Sequence, residues 1–148
     1  MSARWHLQLC IIGALLLQGC ATTAPADLWR NTGTFAACPP RPNCVSSVAS
    51  DSDHAIAPLR YSGTAAAARE RLIAALAAMP RNRIEYATPE YLHVVFVSRL
   101  LRFRDDVEFL IGDGVIQVRS RSRIGYSDLG VNRARVERLR ALFEQGGG

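Results

Sequence analysis

Acidic and basic side chains occupy two neighbouring segments whose spacing could bring them together. Residues 103–111 carry Asp105, Asp106 and Glu108, and an arginine stands at every second position from Arg119 to Arg123. A guanidinium group can donate two parallel hydrogen bonds to the paired oxygens of a carboxylate or a phosphate. These residues could therefore bind an anionic ligand, pair with one another, or assist a carboxylate in catalysis.

The two segments are predicted to form a β-hairpin. Residues 103–111 and 115–123 both alternate between apolar and polar positions, and Gly112-Asp113-Gly114 between them is typical of a tight turn. The alternation places Asp106 on the polar face with Arg119 and Arg123. Asp106 is therefore the expected partner of the arginine row.

Asp105 points to the opposite, apolar face, where a carboxylate needs hydrogen-bond donors. The candidate donors are Asn132, Arg133 and the backbone N–H groups of residues 125–130. One interpretation is structural, with Asp105 tying this loop and the last helix to the sheet. The other is a pocket for an anionic headgroup or a carboxylate. The candidate ligand-binding residues for that pocket are Arg119, Arg123, Asp128, Asn132, Arg133 and Asp105.

The rest of the chain predicts a strand at 56–61, a helix after Thr64, strands at 83–87 and 91–98, and a last helix. Thr64 can cap the first helix and Pro80 stops it. Asn132 can cap the last helix, and Gly146 ends it. The buried stripes of the two helices are Ala65, Ala68, Leu72, Leu76 and Met79, and Val136, Leu139 and Phe143. The order strand, helix, four strands, helix predicts an α+β fold. We expect an antiparallel sheet of four to five strands with both helices on one face, as in helix-grip or TBP-like topologies.

The first twenty residues resemble a bacterial lipoprotein signal. Arg4 precedes a short apolar run that ends in Leu17-Gln18-Gly19-Cys20, and the run is shorter than the roughly 20 apolar residues that a membrane-spanning helix needs. We expect residues 1–19 to be removed and Cys20 to carry acyl chains that anchor the protein. Residues 20–37 are then a flexible tether, and residues 38–145 form a single domain. Ala21 after the cysteine resembles the address of outer-membrane lipoproteins, facing the periplasm. A plain signal peptide or a short uncleaved anchor is the alternative.

Charge and cysteine content fit a protein outside the cytosol. The net charge is +5, all 18 basic residues are arginine, and residues 119–140 alone contribute seven arginines against Asp128 and Glu137. The basic character is therefore local, which indicates an anionic ligand, headgroup or protein partner rather than nucleic acid. Cys38 and Cys44 remain once the signal and the lipidated cysteine are set aside, and they are predicted to form a disulfide. The sequence predicts no metal site and no cofactor.

Three blocks of sequence resemble the family called domain of unknown function 1499. They are Pro42-Asn43-Cys44-Val45-Ser46-Ser47, residues 103–109, and the segment from Arg119 to Arg133. The resemblance extends from about Cys38 to Leu142. The family typically has alanine where this chain has Arg121, so Arg121 is a departure. Many members look secreted or membrane-attached, and the resemblance implies no substrate and no catalytic residue.

These observations predict a non-enzymatic envelope lipoprotein that binds an anionic lipid, glycan or protein partner through an Arg-rich face. Two alternatives remain. The first is an envelope enzyme that uses Asp105 or Asp128 with Arg119 and Arg123. The second is a purely structural or assembly protein in which the arginine row only makes cross-strand pairs. Unfilled guanidinium groups in a concave pocket would favour binding, whereas groups already paired with carboxylates and carbonyls would favour the structural role.

Overall fold

The computed structural model describes residues 23–31 and 33–147. The predicted signal peptide and the lipidation site Cys20 lie outside the described residues. Among the described residues, no helix combines the length and the apolar character needed to cross a bilayer.

The described chain forms one six-stranded antiparallel sheet and two helices. The elements are β1 (Cys44–Ser46), β2 (Leu59–Arg60), α1 (Ala65–Ala77), β3 (Asn82–Ala87), β4 (Tyr91–Val97), β5 (Arg104–Gly112), β6 (Val115–Ser122) and α2 (Val131–Gln145). The strand order is β1-β6-β5-β4-β3, and β2 also pairs with β6. The predicted α+β class is confirmed. β1 was not predicted, and β2 is shorter than the predicted strand at 56–61.

Both helices pack on one face of the sheet, which we call the inner face. Thr64 caps α1 by accepting a hydrogen bond from the N–H of Ala67, as predicted. Gly146 is the C-cap of α2, also as predicted. The core is formed by Leu72 and Leu76 of α1, Val136, Leu139 and Phe143 of α2, and the inner-face side chains Leu92, Val94, Val107, Phe109, Ile116 and Val118. Burial of this apolar surface is the main source of the fold's stability.

The register of β5 and β6 decides which polar side chains meet. Asp106 pairs with Arg121 and Glu108 with Arg119, and all four are on the face away from the helices, which we call the outer face. Asp105 pairs with Ser122 on the inner face. Because side chains alternate between faces along a strand, the two adjacent aspartates lie in different environments.

Candidate functional site

The outer face carries a buried ion pair at its centre. Nη1 of Arg119 donates to Oε2 of Glu108 at 2.9 Å, and each residue is 1% exposed. Oε1 of Glu108 accepts a hydrogen bond from the hydroxyl of Tyr91 at 2.9 Å. Burial raises the pKa of Tyr91, and the neighbouring Glu108 carboxylate raises it further. Tyr91 therefore stays a hydrogen-bond donor to Glu108.

Residues 27–31 and 33–37, which we call the N-terminal strap, lie against this pair. Asp27 Oδ2 accepts hydrogen bonds from Arg119 Nη2 at 2.9 Å and from Arg121 Nη1. The backbone N–H of Trp29 donates to Glu108 Oε1 at 2.7 Å, and its ring lies 4.8 Å from that of Tyr91. Burial opposes ionisation of Asp27, but the hydrogen bond from Arg119 together with the charges of Arg119 and Arg121 outweighs it and holds the pKa of Asp27 below its ordinary value. These contacts give part of the predicted tether a fixed place on the domain.

A second ion pair on the outer face joins Arg123 to Asp106. Nε and Nη2 of Arg123 donate to the two carboxylate oxygens of Asp106, each at 2.8 Å. His93 Nε2 lies 2.8 Å from Asp106 Oδ1. Burial favours the neutral acid, but the hydrogen bonds from His93 and Arg123 prevail, and the pKa of Asp106 is lowered. The predicted pairing of Asp106 with the arginine row is confirmed.

The side chain that donates a hydrogen bond to Asp105 is on α2 but is not one of the predicted donors. Its Oδ2 accepts a hydrogen bond from Nη2 of Arg135, and both side chains are mostly buried. The guanidinium group of Arg135 also lies 4.9 Å from the ring centre of Phe96. The predicted donors Asn132 and Arg133 bind elsewhere, and Arg135, in the second turn of α2, is the side chain that contacts Asp105. Asp105 thus ties the last helix to the sheet, as the structural interpretation requires.

Asn132 joins four parts of the chain at a fully buried position. Its Oδ1 accepts from Ser120 Oγ at 2.6 Å and from Arg135 Nη1 at 2.6 Å. Its Nδ2 donates to Ser122 Oγ at 2.9 Å, to the carbonyl of Asn43 at 3.2 Å, and to Asp128 Oδ2 at 2.7 Å. These bonds connect β6, the segment before β1, the loop after β6, and α2.

The prediction that Asn132 caps the last helix is wrong. The helix begins at Val131, so Asn132 already lies within its first turn, and Gly130 is the N-cap residue. Gly130 has a φ of 81°, which a side chain would disfavour. The carboxylate of Asp128 instead accepts from the N–H groups of Gly130 at 3.0 Å and Asn132 at 2.7 Å. An acidic group at this helix end is also favoured by the helix dipole.

The six predicted ligand-binding residues lie in separate places. Arg119 and Arg123 are on the outer face, whereas Asp105, Asp128 and Asn132 are on the side of the helices. Arg133 donates to the carbonyls of Ala55 at 2.8 Å and Asp53 at 3.0 Å, in the loop before β2. The structure therefore does not bring these six side chains around one pocket.

The model of the family described as "Protein of unknown function (DUF1499)" matches residues 34–143. The chain belongs to this family. The sequence blocks that carry the resemblance are those that build the contacts above: Asn43 before β1, Asp105 and Glu108 in β5, and Arg119 to Arg133. In this DUF1499 chain they hold β1, β6 and α2 together. No curated protein matches the chain.

Cys38 and Cys44 stand at the start of the matched region. Their sulfur atoms are 2.03 Å apart, which is bonding distance. Cys44 is the first residue of β1, so this pair holds the end of the N-terminal strap beside the edge strand of the sheet. Their oxidation in the cell remains a prediction from the expected export.

A second group of arginines, which sequence reasoning missed, lines a cavity of about 320 Å³ where β3, β4 and β5 meet. The group comprises Arg81, Arg83, Arg102 and Arg104, and we call it the basic end. The sequence signal was Arg99-Leu100-Leu101-Arg102-Phe103-Arg104 between two strands. Within the described ranges, no group of three or more His, Cys, Asp and Glu residues could hold a metal ion.

Proposed function

We propose that this protein is a lipid-anchored protein of the bacterial envelope, facing the periplasm from the outer membrane, with a binding or assembly role rather than a catalytic one. The single observation that carries the proposal is the docking of the N-terminal strap on the outer face through Asp27, Trp29, Arg119 and Glu108. This docking begins soon after Cys20, where the sequence places the lipid.

The strap sets the distance between domain and membrane in this proposal. Six residues lie between Cys20 and Asp27, and the seven Cα–Cα steps that join the two positions span at most about 25 Å when fully extended. A longer free tether would let the domain sample a wider volume. Docking of Asp27 therefore keeps the outer face within reach of the bilayer to which the lipid is attached.

The contacts of the predicted pocket residues favour the structural alternative for that region. Arg119 and Arg123 donate to Glu108, Asp27 and Asp106, and Arg133 donates to backbone carbonyls. Asp105 and Asp128, the carboxylates considered for catalysis, pair with Arg135 and cap α2. An anionic ligand at Arg119 and Arg123 would have to displace these carboxylates. The binding surface in this proposal therefore lies elsewhere on the domain.

The anchor is tested by the N-terminal peptide and by fractionation. Protein isolated from membranes of its host should yield a peptide that begins at Cys20 and carries acyl chains by mass spectrometry. Cys20→Ser should lose this modification and the acyl-dependent retention of the mature domain. Cys10→Ser is the matched control, because Cys10 lies in the segment expected to be removed. An unmodified Cys20 in the wild-type protein would reject the proposal.

A further inference from the structure

Three neighbouring apolar side chains are exposed on the turn between β4 and β5, residues 98–103, which we call the β4–β5 turn. Leu100 is 83% exposed, Leu101 is 64% exposed and Phe103 is 40% exposed. The base of the turn is closed by two hydrogen bonds of 2.9 Å: the N–H of Ser98 donates to the carbonyl of Phe103, and the N–H of Phe103 donates to Ser98 Oγ. The two hydrogen bonds fix the turn, and its large apolar side chains are exposed to solvent. An exposed apolar group of this kind is typical of an interaction surface.

The basic end lies directly beside this turn and carries more positive charge than the protein itself balances. Four arginines line the cavity with one carboxylate, Glu85, and Glu85 accepts two hydrogen bonds from Arg83 at 2.9 and 2.6 Å. In the part of the chain that the structure describes, the side chains of Arg81, Arg102 and Arg104 have no hydrogen-bond or ion-pair partner. Like charges on neighbouring strands repel each other, so this cluster is suited to an anionic partner.

The backbone at the basic end is held in an uncommon conformation. Arg81 and Arg102 both have a φ of 57°, in the left-handed region that residues with a side chain rarely adopt. Such residues persist only where the surrounding structure fixes them, and they are frequent at ligand sites. Here the carbonyl of Arg81 accepts a hydrogen bond from the N–H of Val97 at 2.9 Å, and Val97 pairs with Arg104 across the ladder. The fold thus holds Arg81 and Arg104 on either side of Val97.

We propose that the β4–β5 turn and the basic end form a second membrane contact, in which the turn enters the interface of an anionic bilayer. In this arrangement Leu100, Leu101 and Phe103 lie among the outer acyl carbons, and Arg81, Arg102 and Arg104 bind headgroup phosphates. Apolar side chains flanked by arginines have the composition of segments that lie in a membrane interface, and a basic surface is attracted by anionic lipids. The inference rests on the proposed function for its anchor.

The direction in which the N-terminal strap runs is consistent with a β4–β5 turn that faces the membrane. Trp29 contacts Glu108 and Tyr91, whereas Asp27 contacts Arg119 and Arg121. Arg121 pairs with Asp106, two residues closer to the β4–β5 turn than Glu108. From Trp29 back to Asp27, the chain therefore runs along the outer face toward the end that carries the turn. The lipid attached upstream and the apolar turn can reach the same bilayer.

The test measures the depth of the turn in vesicles that carry the full lipidated protein. Leu101→Trp places an indole at the turn, and its emission is obtained by subtracting that of the unaltered protein. We expect a blue shift and quenching by brominated acyl chains in phosphatidylglycerol-containing vesicles. Leu129→Trp is the matched control, because Leu129 is 94% exposed in the loop before α2. Its indole should stay accessible to aqueous acrylamide.

Charge removal separates the arginines from the apolar turn. In the Leu101→Trp protein, Arg102→Gln and Arg81→Gln should each lower the ratio of inserted to free turn about fivefold. Arg138→Gln removes an equal charge at an exposed position on α2 and should leave the ratio unchanged. An indole at position 101 that stays as open to acrylamide as the one at position 129, on protein that floats with the vesicles, would overturn this inference while the anchor stands. Protein that does not float would instead reject the anchor.

Discussion

Arg119 and Glu108 lie opposite each other across β6 and β5, with 2.9 Å between Nη1 and Oε2 and almost no contact with solvent. Taking two charges out of water is costly, and their attraction and hydrogen bonds offset that cost only while both partners are present. Tyr91 and the N–H of Trp29 complete the coordination of Glu108. The stability of the outer face and the position of the strap therefore depend on the same carboxylate.

Removing one partner of this buried pair should be strongly destabilising. Arg119→Leu leaves Glu108 buried without its cation, and we expect the free energy of unfolding to fall by about 3–5 kcal/mol. Chemical denaturation of the variant and the wild type measures the difference. Arg83→Gln, which breaks an exposed pair with Glu85, should cost at most about 1 kcal/mol. If both substitutions lowered the free energy of unfolding equally, Arg119 and Glu108 would not form a buried, interdependent pair.

Asp27 should control whether the strap stays docked. Asp27→Asn removes the negative charge that Arg119 and Arg121 share, so the strap should open more often. Trypsin cleavage after the exposed Arg30 reports this opening, and we expect it to become faster while the domain remains folded. Asp113→Asn, in the exposed turn between β5 and β6, is the matched control and should leave the rate unchanged. A cleavage rate that does not respond to Asp27→Asn would show that the strap stays docked without the charge of Asp27.

Asn132 should matter more for stability than the residue that caps the same helix. Asn132→Ala removes the hydrogen bonds with Ser120, Arg135 and the carbonyl of Asn43 at a fully buried position, which should cost about 3 kcal/mol. Asp128→Ala removes a cap at a partly exposed position and should cost about 1 kcal/mol. Thermal or denaturant unfolding of both variants gives the comparison. Gln145→Ala, at the exposed end of α2, serves as the control with little expected change.

The local patterns of the sequence explain which parts of the fold could be predicted. Alternation over residues 103–123 indicated both the hairpin and the face of Asp106, because side-chain direction in a strand has a period of two. The strand β1 has three residues and follows a proline-rich segment, so it offers too short a pattern to recognise. The contacts of Asp27 join residues more than 90 positions apart, and no local pattern encodes such a pairing. Which side chain of α2 pairs with Asp105 depends on how the helix is rotated about its own axis above the sheet. Local sequence patterns do not determine that rotation.

The basic end was missed for a different reason. The seven arginines between residues 119 and 140 dominate the charge count, and the count cannot distinguish paired from unpaired guanidinium groups. The structure shows that Arg119, Arg123 and Arg133 have partners, whereas Arg81, Arg102 and Arg104 have none among the described residues. A group of unpaired guanidinium groups therefore lies beside the β4–β5 turn, on the outer side of the sheet.

The lowered pKa of Asp106 predicts how stability changes in acid. In the unfolded chain an aspartate titrates near pH 3.9, whereas in the folded protein the hydrogen bonds from His93 and Arg123 lower the pKa of Asp106. The folded state therefore binds fewer protons than the unfolded state in this range. The contribution of Asp106 is complete above about pH 4 and is lost as the pH falls through the lowered folded value. Asp27 acts in the same direction.

Asp106→Asn isolates this contribution. The variant should be less stable than the wild type at pH 6, because Arg123 loses its carboxylate, and the difference should shrink as the pH falls below about 4. Urea unfolding at closely spaced pH values between 6 and 2 measures both curves, and Asp113→Asn should follow the wild type. A difference that stays constant over this range would mean that the pKa of Asp106 is the same in the folded and unfolded states, in conflict with the two hydrogen bonds that Arg123 donates to it.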